Sequence, residues 1–369
     1  MKATRISLTN FRSYAQAEAA FADGINVICG PNAQGKTNLL EAVYMLAGAR
    51  SFRTRFDREM IAFDADAAAI EAEIWAEGRE QKLSIALRRG VKKQIKLNGV
   101  RRTGTELCES IRAVLFSPDD LGLIKDGAAA RRRLMDMAIT QLRPGYAKVL
   151  SDFNRLYENK SRILRDHLGD RAMMSTLGDF SDGLCRASAR LIRYRASFAA
   201  ALGELASPIH REFSGSGEEL EVRYKTVSTV TNPSAPAEVI YSQLLEHLAA
   251  HEAAELASGQ CLTGAHKDDL EIFINGRSAR AFASQGQTRT AALSLKLAER
   301  EIFLRDAGEY PILLLDDVLS ELDGARREFV LNRIGGGQTL ITCCEDEQIV
   351  RQTGGKVFFV EKGSVREGN

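Results

Sequence analysis

Gly30-Pro31-Asn32-Ala33-Gln34-Gly35-Lys36-Thr37 satisfies the spacing G-x-x-x-x-G-K-[ST] at every fixed position. Each residue type in that pattern has work to do on a polyphosphate. Glycines let successive backbone N–H groups converge on phosphate oxygens. The Lys36 ammonium supplies a point charge to the β and γ phosphates, and the Thr37 hydroxyl is a ligand for Mg²⁺. The candidate ATP-binding residues are therefore Gly30, Pro31, Asn32, Ala33, Gln34, Gly35, Lys36 and Thr37. A second run, Ile312-Leu313-Leu314-Leu315-Asp316-Asp317, is apolar as a strand buried on both faces requires, and it ends in two carboxylates. Asp316 is placed to hold Mg²⁺ through water, and Asp317 to orient or deprotonate an attacking water. A plain helix N-cap is the competing role for Asp317.

A third run, Ala283-Ser284-Gln285-Gly286-Gln287, precedes a helical pattern beginning Thr288-Arg289-Thr290. A Ser-x-Gly-Gln turn opening a helix offers a hydroxyl and free N–H groups to an anion, which suits a γ-phosphate. Taken alone it reads as an ordinary N-cap. Its order between the phosphate loop and the paired carboxylates makes Ser284, Gly286 and Gln287 candidates for the nucleotide site.

Those residues need elements to position them. Ile25-Asn26-Val27-Ile28-Cys29 is a short apolar strand, and Leu39, Leu40, Ala42, Val43, Met45 and Leu46 recur at helical spacing, so the loop joins a strand to a helix. Residues 66 to 103 predict antiparallel strands with turns at Arg89-Gly90 and Asn98-Gly99. Beyond Ser117-Pro118-Asp119-Asp120 the chain turns to long helices. Phe180, Leu184, Ala187, Leu191, Tyr194, Phe198, Leu202 and Leu205 form one seam, and Val149, Phe153, Leu156, Ile163 and Leu164 mark a partner helix after Pro144-Gly145. Strand and helix alternate again from about residue 256, and Lys36 stands much farther from Asp316 than a compact phosphate-loop domain needs. The reading is an α/β head whose halves, residues 1–118 and 256–369, flank an inserted helical arm at 119–255.

Composition agrees with a folded protein. The 369 residues are 44% hydrophobic and 27% charged, outside the range of disordered chains. No run of about 18 uncharged apolar residues is present, and no apolar signal core follows the N-terminus, which predicts a soluble, cytoplasmic protein with no membrane partner. Six cysteines without C-x-x-C spacing read as reduced, buried thiols and argue against a zinc site. The net charge is only +1, yet Lys82, Arg88, Arg89, Lys92, Lys93, Lys96, Arg101 and Arg102 follow one another without an acid between them. That stretch predicts a strongly positive face, with Arg88, Arg89, Lys92 and Lys93 as candidate DNA contacts.

Phosphate loop, distant Ser-x-Gly-Gln, strand ending in two acids, then Ser320-Glu321-Leu322-Asp323 is an order that resembles the ABC/SMC-type P-loop ATPase heads. Within that class the whole chain is similar to the RecF family. The likeness is carried by the motifs above and by Leu8-Thr9-Asn10-Phe11-Arg12-Ser13-Tyr14, Ser51-Phe52-Arg53-Thr54, Phe116-Ser117-Pro118-Asp119-Asp120-Leu121, Arg131-Arg132-Arg133-Leu134-Met135-Asp136 and Gly264-Ala265-His266-Lys267-Asp268-Asp269-Leu270. The resemblance implies a weak ATPase using ATP and Mg²⁺, with Lys36, Asp317, Ser284 and Gln287 as its catalytic set. It further implies an ATP-dependent homodimer that binds gapped or single-strand/double-strand junction DNA. With RecO and RecR, such a protein promotes RecA loading in recombinational repair, replication restart and SOS induction.

The chain also departs from the wider class. Asp317 stands where that class has Glu, which implies slow hydrolysis; Thr342-Cys343-Cys344 offers no His as γ-phosphate sensor; and no Gln stands at Ser117-Pro118-Asp119. Ala265 replaces a proline, leaving His266 open to a structural or a functional role. Two rivals share the phosphate loop: an SMC/ABC-like clamp acting on a non-DNA partner, and a small-molecule P-loop kinase, which needs no Ser284 signature.

Overall fold

The computed structural model describes residues 1–166, 169–215, 217–344 and 353–368. The chain divides into two compact units, one of residues 1–121 with 292–369 and one of residues 122–291.

The first unit carries two sheets. Strands β1 (Lys2–Phe11), β2 (Tyr14–Ala20) and β3 (Ile25–Cys29) precede the helix Lys36–Leu46. After it come β4 (Ala67–Ala76), β5 (Arg79–Arg88), β6 (Val91–Leu97), β7 (Val100–Arg101) and β8 (Ala113–Phe116). The second unit supplies β9 (Leu220–Lys225), β10 (Asp269–Ile274) and β11 (Arg277–Ser278). The chain then returns to the first unit with β12 (Ile312–Asp316), β13 (Thr339–Cys343), β14 (Lys356–Glu361) and β15 (Ser364–Glu367).

One sheet of the first unit, in the order β2-β1-β4-β5-β6-β7, is antiparallel throughout. In β4 and β5 side chains alternate: Ile70, Ala72, Ile74, Leu83, Ile85 and Leu87 are buried while Glu71, Lys82 and Arg88 face water. That is the alternation expected of a sheet with one solvated face. Residues 66–103 form the strands predicted for them, and Asn98 and Gly99 both take positive φ, as the tight hairpin turn requires.

The other sheet runs β15-β14-β3-β13-β12-β8, parallel from β14 to β8. Strands β13, β12 and β8 are buried along their whole length. The pairing explains why Ile312–Asp316 contains no polar residue before its end: a parallel strand covered on both faces has no solvated side. It also brings the carboxyl ends of β3 and β12 to one edge, with β13 between them.

In the second unit the helices Pro144–Asp166 and Leu177–Ser214 pack against each other, as the two apolar seams predict. The short helix Arg171–Ser175 lies between them in sequence. Residues 256–291, expected with the head, fall in this unit. The reason is strand pairing: β10 runs antiparallel to β9, and Leu270, Ile272 and Ile274 are buried on it. The unit therefore carries a three-stranded sheet, β11-β10-β9, besides its helices. Among the described residues no helix is long and apolar enough to cross a membrane.

Candidate functional site

The phosphate loop leaves β3 and enters the helix Lys36–Leu46 through two glycines that no other residue could replace without rearrangement. A Cβ on Gly30 (φ 154°) would lie 2.2 Å from the Val360 carbonyl oxygen, and one on Gly35 (φ 117°) would lie 2.9 Å from Ser13 Oγ. Tyr14, buried, donates its hydroxyl to the Gly35 carbonyl at 2.9 Å and so pins the loop from below. Gly35 occupies the cap position, and no side chain caps this helix, so the N–H groups of its first turn remain for an anion. Lys36 Nζ donates to the carbonyls of Gly30 (2.6 Å) and Pro31 (3.0 Å), curling over its own loop. Gln34 accepts the Lys362 N–H through Oε1 at 2.7 Å, and Asn32 Oδ1 accepts from Cys344 Sγ at 2.9 Å.

The adjacent edge of the parallel sheet supplies the carboxylates. Asp316 Oδ1 accepts from Thr37 Oγ1 at 2.9 Å and from Thr342 Oγ1 at 2.8 Å. The same Thr342 oxygen accepts the Asp317 N–H at 2.9 Å, so one β13 hydroxyl ties both acids. Burial pushes the Asp316 pKa up; the two threonine hydrogen bonds and the Arg53 charge oppose that shift, while the Asp317 charge adds to it. Asp317 stands at φ 53°, a left-handed backbone rare for a non-glycine residue, and Ser320 Oγ donates to its Oδ1 at 2.7 Å. The N-cap role falls not to Asp317 but to Asp323, which accepts the Arg326 N–H at the start of the helix Gly324–Arg333. A threonine hydroxyl set against a carboxylate oxygen is a donor set that fits a hard divalent cation such as Mg²⁺.

Several participants carry no motif of their own. Glu41, fully buried, receives two hydrogen bonds from Arg12 (2.9 and 2.7 Å) and one from Ser51, and pairs with Arg53 at 3.4 Å. Arg53 also donates to Asn38 Oδ1 at 2.7 Å, one residue beyond Thr37. The legible signal was a carboxylate among the apolar positions of the helix after the loop. Thr342 had none, because its role depends on β13 lying beside β12.

Lys36, Thr37, Asp316 and Asp317 thus come together within the first unit, whereas Ser284, Gly286 and Gln287 lie in the second. There Ser284 Oγ accepts the Gln287 N–H at 3.2 Å and Gln287 Oε1 accepts the Ser284 N–H at 2.9 Å, a reciprocal capping box. Gln287 Nε2 also donates to Glu218 Oε1 at 2.8 Å. Ser284 and Gln285 are exposed at this helix start.

The basic candidates split in two. Arg88 and Lys92 are exposed, as are Lys96 and Arg101 on the neighbouring strands. Arg89 instead donates to the carbonyls of Ala65 (3.0 Å) and Ala62 (3.2 Å), and Lys93 Nζ pairs with Asp57 at 2.8 Å. Arg131 is buried in a two-point pair with Asp269. His266 lies tilted against Tyr157 with ring centroids 4.6 Å apart, its Nε2 lies 2.9 Å from the Cys261 carbonyl, and burial lowers its pKa to about 4, which keeps the ring neutral. All six cysteines are free thiols, five of them buried.

The RecF/RecN/SMC N terminal domain family matches residues 2–364. The DNA replication and repair protein RecF of Bacillus mycoides (strain KBAB4) is 40% identical over 98% of this chain and 97% of its own length. This chain belongs to the RecF family. RecF of Bacillus thuringiensis (strain Al Hakam) is 39% identical over the same shares. Among solved structures, the recombination mediator protein RecF with ATP in the RecFOR pathway superposes with a TM-score of 0.91 at 32% identity, covering all of this chain and 97% of that one. The Smc head of Pyrococcus furiosus, at 17% identity and a TM-score of 0.55, shares the fold. The family architecture is accordingly that of an ABC/SMC-type ATPase head.

Proposed function

We propose that this RecF-family protein is a slow ATPase whose ATP-bound form pairs into a homodimer on gapped or junction DNA. In this reading it works with RecO and RecR to promote RecA loading in recombinational repair, replication restart and SOS induction, and hydrolysis releases it. The observation that carries the reading is the Thr37–Asp316–Thr342–Asp317 constellation beside the phosphate loop. The structural relatives, recombination mediator RecF proteins of the RecFOR pathway solved with ATP, support it.

Lys36 would exchange its two loop carbonyls for β and γ phosphate oxygens, and the open helix start beyond Gly35 would receive the phosphates. Thr37 and Asp316 would hold Mg²⁺, which when bound supplies charge neutralisation at the phosphates. Asp317, fixed by Thr342 and Ser320, would orient the attacking water, and its short side chain fits slow turnover. Ser284, Gly286 and Gln287 of one protomer would close on the nucleotide of the other, using the exposed helix start. Phosphate contacts on DNA fall to Arg88, Lys92, Lys96 and Arg101, because Arg89 and Lys93 already have partners within the fold.

Sedimentation of the full chain with and without ATP, each with and without a gapped duplex, tests this reading. A dimer that forms only with ATP and carries DNA supports it. An ATP-dependent dimer that ignores every duplex assigns the clamp to a non-DNA partner, and a monomer in saturating ATP excludes the clamp.

A further inference from the structure

One corner of the antiparallel sheet exposes apolar side chains that neither the nucleotide site nor a duplex backbone uses. The loop after the short turn Asp57–Met60 presents Phe63 at 98% exposure, and Phe56, at the other end of that turn, is 56% exposed. Val91, the first residue of β6, is 51% exposed. Single exposed apolar residues are ordinary; here the aromatic sits on a loop whose backbone is anchored.

Rigidity here has identifiable causes. Arg89 spans three backbone carbonyls of the Phe63 loop, those of Ala62, Phe63 and Ala65, and its own N–H donates to the Asp66 carbonyl at 3.0 Å. Ala62 N–H donates to the Asn10 carbonyl of β1 at 2.8 Å. Lys93 ties Asp57 to the same hairpin. Two cations from the basic stretch are thus spent on holding the loop that carries Phe63. Arg55 and Arg58 flank Phe56 in sequence, Arg88 pairs in register with Ala67 just beyond the loop, and Lys92 follows in the next strand; all four are exposed, and Arg58 lies over the Phe56 ring at 5.2 Å. The exposed carboxylates of the same turn and loop, Glu59, Asp64 and Asp66, number three against these four cations.

We propose that this corner binds an unpaired nucleobase of a single-stranded segment, with Phe63 as the stacking surface and Arg88 and Lys92 on the flanking phosphates. Every base has a π-face but a duplex hides it, so an exposed ring on an anchored loop selects unpaired strand without reading sequence, and the cations supply the backbone attraction. The inference rests on the DNA-clamp reading and adds to it the element that tells a junction from a plain duplex.

The test compares a blunt duplex with the same duplex bearing a single-stranded overhang, both titrated onto the full chain with ATP at fixed salt. Phe63→Ala is a surface change at a nearly fully exposed side chain and leaves the packed core untouched. It should weaken overhang binding about fivefold or more, the loss of one stacked base, while blunt-duplex affinity stays within about twofold. Phe63→Trp should restore the preference, with its indole emission quenched by the overhang and not by blunt duplex. Arg89→Ala, which frees the loop, should lose the preference as Phe63→Ala does. Equal weakening of both probes, or an unchanged ratio in Phe63→Ala, overturns the proposal. So does an ATP-dependent dimer lost in Phe63→Ala, which would give the corner to a second copy of the chain. A wild type that binds blunt duplex without favouring the overhang removes this inference alone; one that binds neither probe removes the clamp reading with it.

Discussion

The Thr37 hydroxyl donates to Asp316 Oδ1 across 2.9 Å, joining the phosphate loop to a strand end 279 residues away in sequence. Thr342 adds a second donor to the same oxygen, so Asp316 is held as an acceptor in a buried place where its charge is unfavourable. A cation there would relieve what burial costs.

That arrangement predicts an unusual substitution. Burial raises the Asp316 pKa in the folded state, so the folded form binds the proton more tightly than the unfolded form. Its contribution to stability is present below the unfolded carboxylate pKa and is lost as pH rises through the folded value. Asp316→Asn, which keeps an acceptor for both threonines, should therefore raise the melting temperature of the nucleotide-free protein at pH 7. The gain should shrink as pH falls toward the carboxylate range. It should also abolish Mg²⁺-dependent ATP hydrolysis. A variant that melts lower at pH 7 would contradict this account of the site.

Lys36→Ala removes a charged hydrogen-bond donor to phosphate and should weaken ATP binding ten- to hundredfold, about 1.5–3 kcal/mol, at a folding cost of about 1 kcal/mol. Ser284→Arg should still bind ATP but block closure. Mixed together, the two inactive variants form heterodimers with one doubly damaged and one intact site, and part of the ATP-dependent association and hydrolysis should return. A mixture that stays inactive while both variants are folded would place the signature's action within its own chain, or require both sites for closure.

Replacing Arg88, Lys92, Lys96 and Arg101 together should flatten the slope of log affinity for duplex DNA against log salt by about 3–4 units, roughly 0.9 per phosphate released. Arg89→Ala and Lys93→Ala should leave that slope unchanged, since both side chains are engaged within the fold. A slope that drops with Arg89 and Lys93 but not with the four would move the contact to those two residues.

His266 is held neutral, its pKa lowered to about 4 by burial. The unfolded chain takes up that proton near the ordinary histidine value of about 6.5, so the folded state loses stability as pH falls from about 6.5 toward 4. Melting curves across that range should show a steeper decline for the wild type than for His266→Phe, which keeps an aromatic ring beside Tyr157. Parallel declines would mean that the ring does not titrate in this way.

Local pattern alone was enough for the phosphate loop, the apolar strand ending in Asp316 and Asp317, the hairpins of residues 66–103 and the paired helical seams. In each of these, neighbours in sequence are the neighbours that matter: a glycine spacing, an alternation of two, a recurrence of three and four. Tertiary structure decided what depends on pairing across long separations. β10 joined β9 rather than the head sheets, which moved residues 256–291 into the second unit. The parallel register of β12 with β13 set Thr342 between two carboxylates, a role that its position before Cys343 does not signal. The eight clustered cations were plain in the sequence, but only the folded structure separated Arg88, Lys92, Lys96 and Arg101, facing water, from Lys93, half-buried on Asp57, and Arg89, exposed yet bonded to the carbonyls of the neighbouring loop. Composition records which charges a chain has; burial and partners, which are properties of the folded surface, determine which of them remain free to act on another molecule.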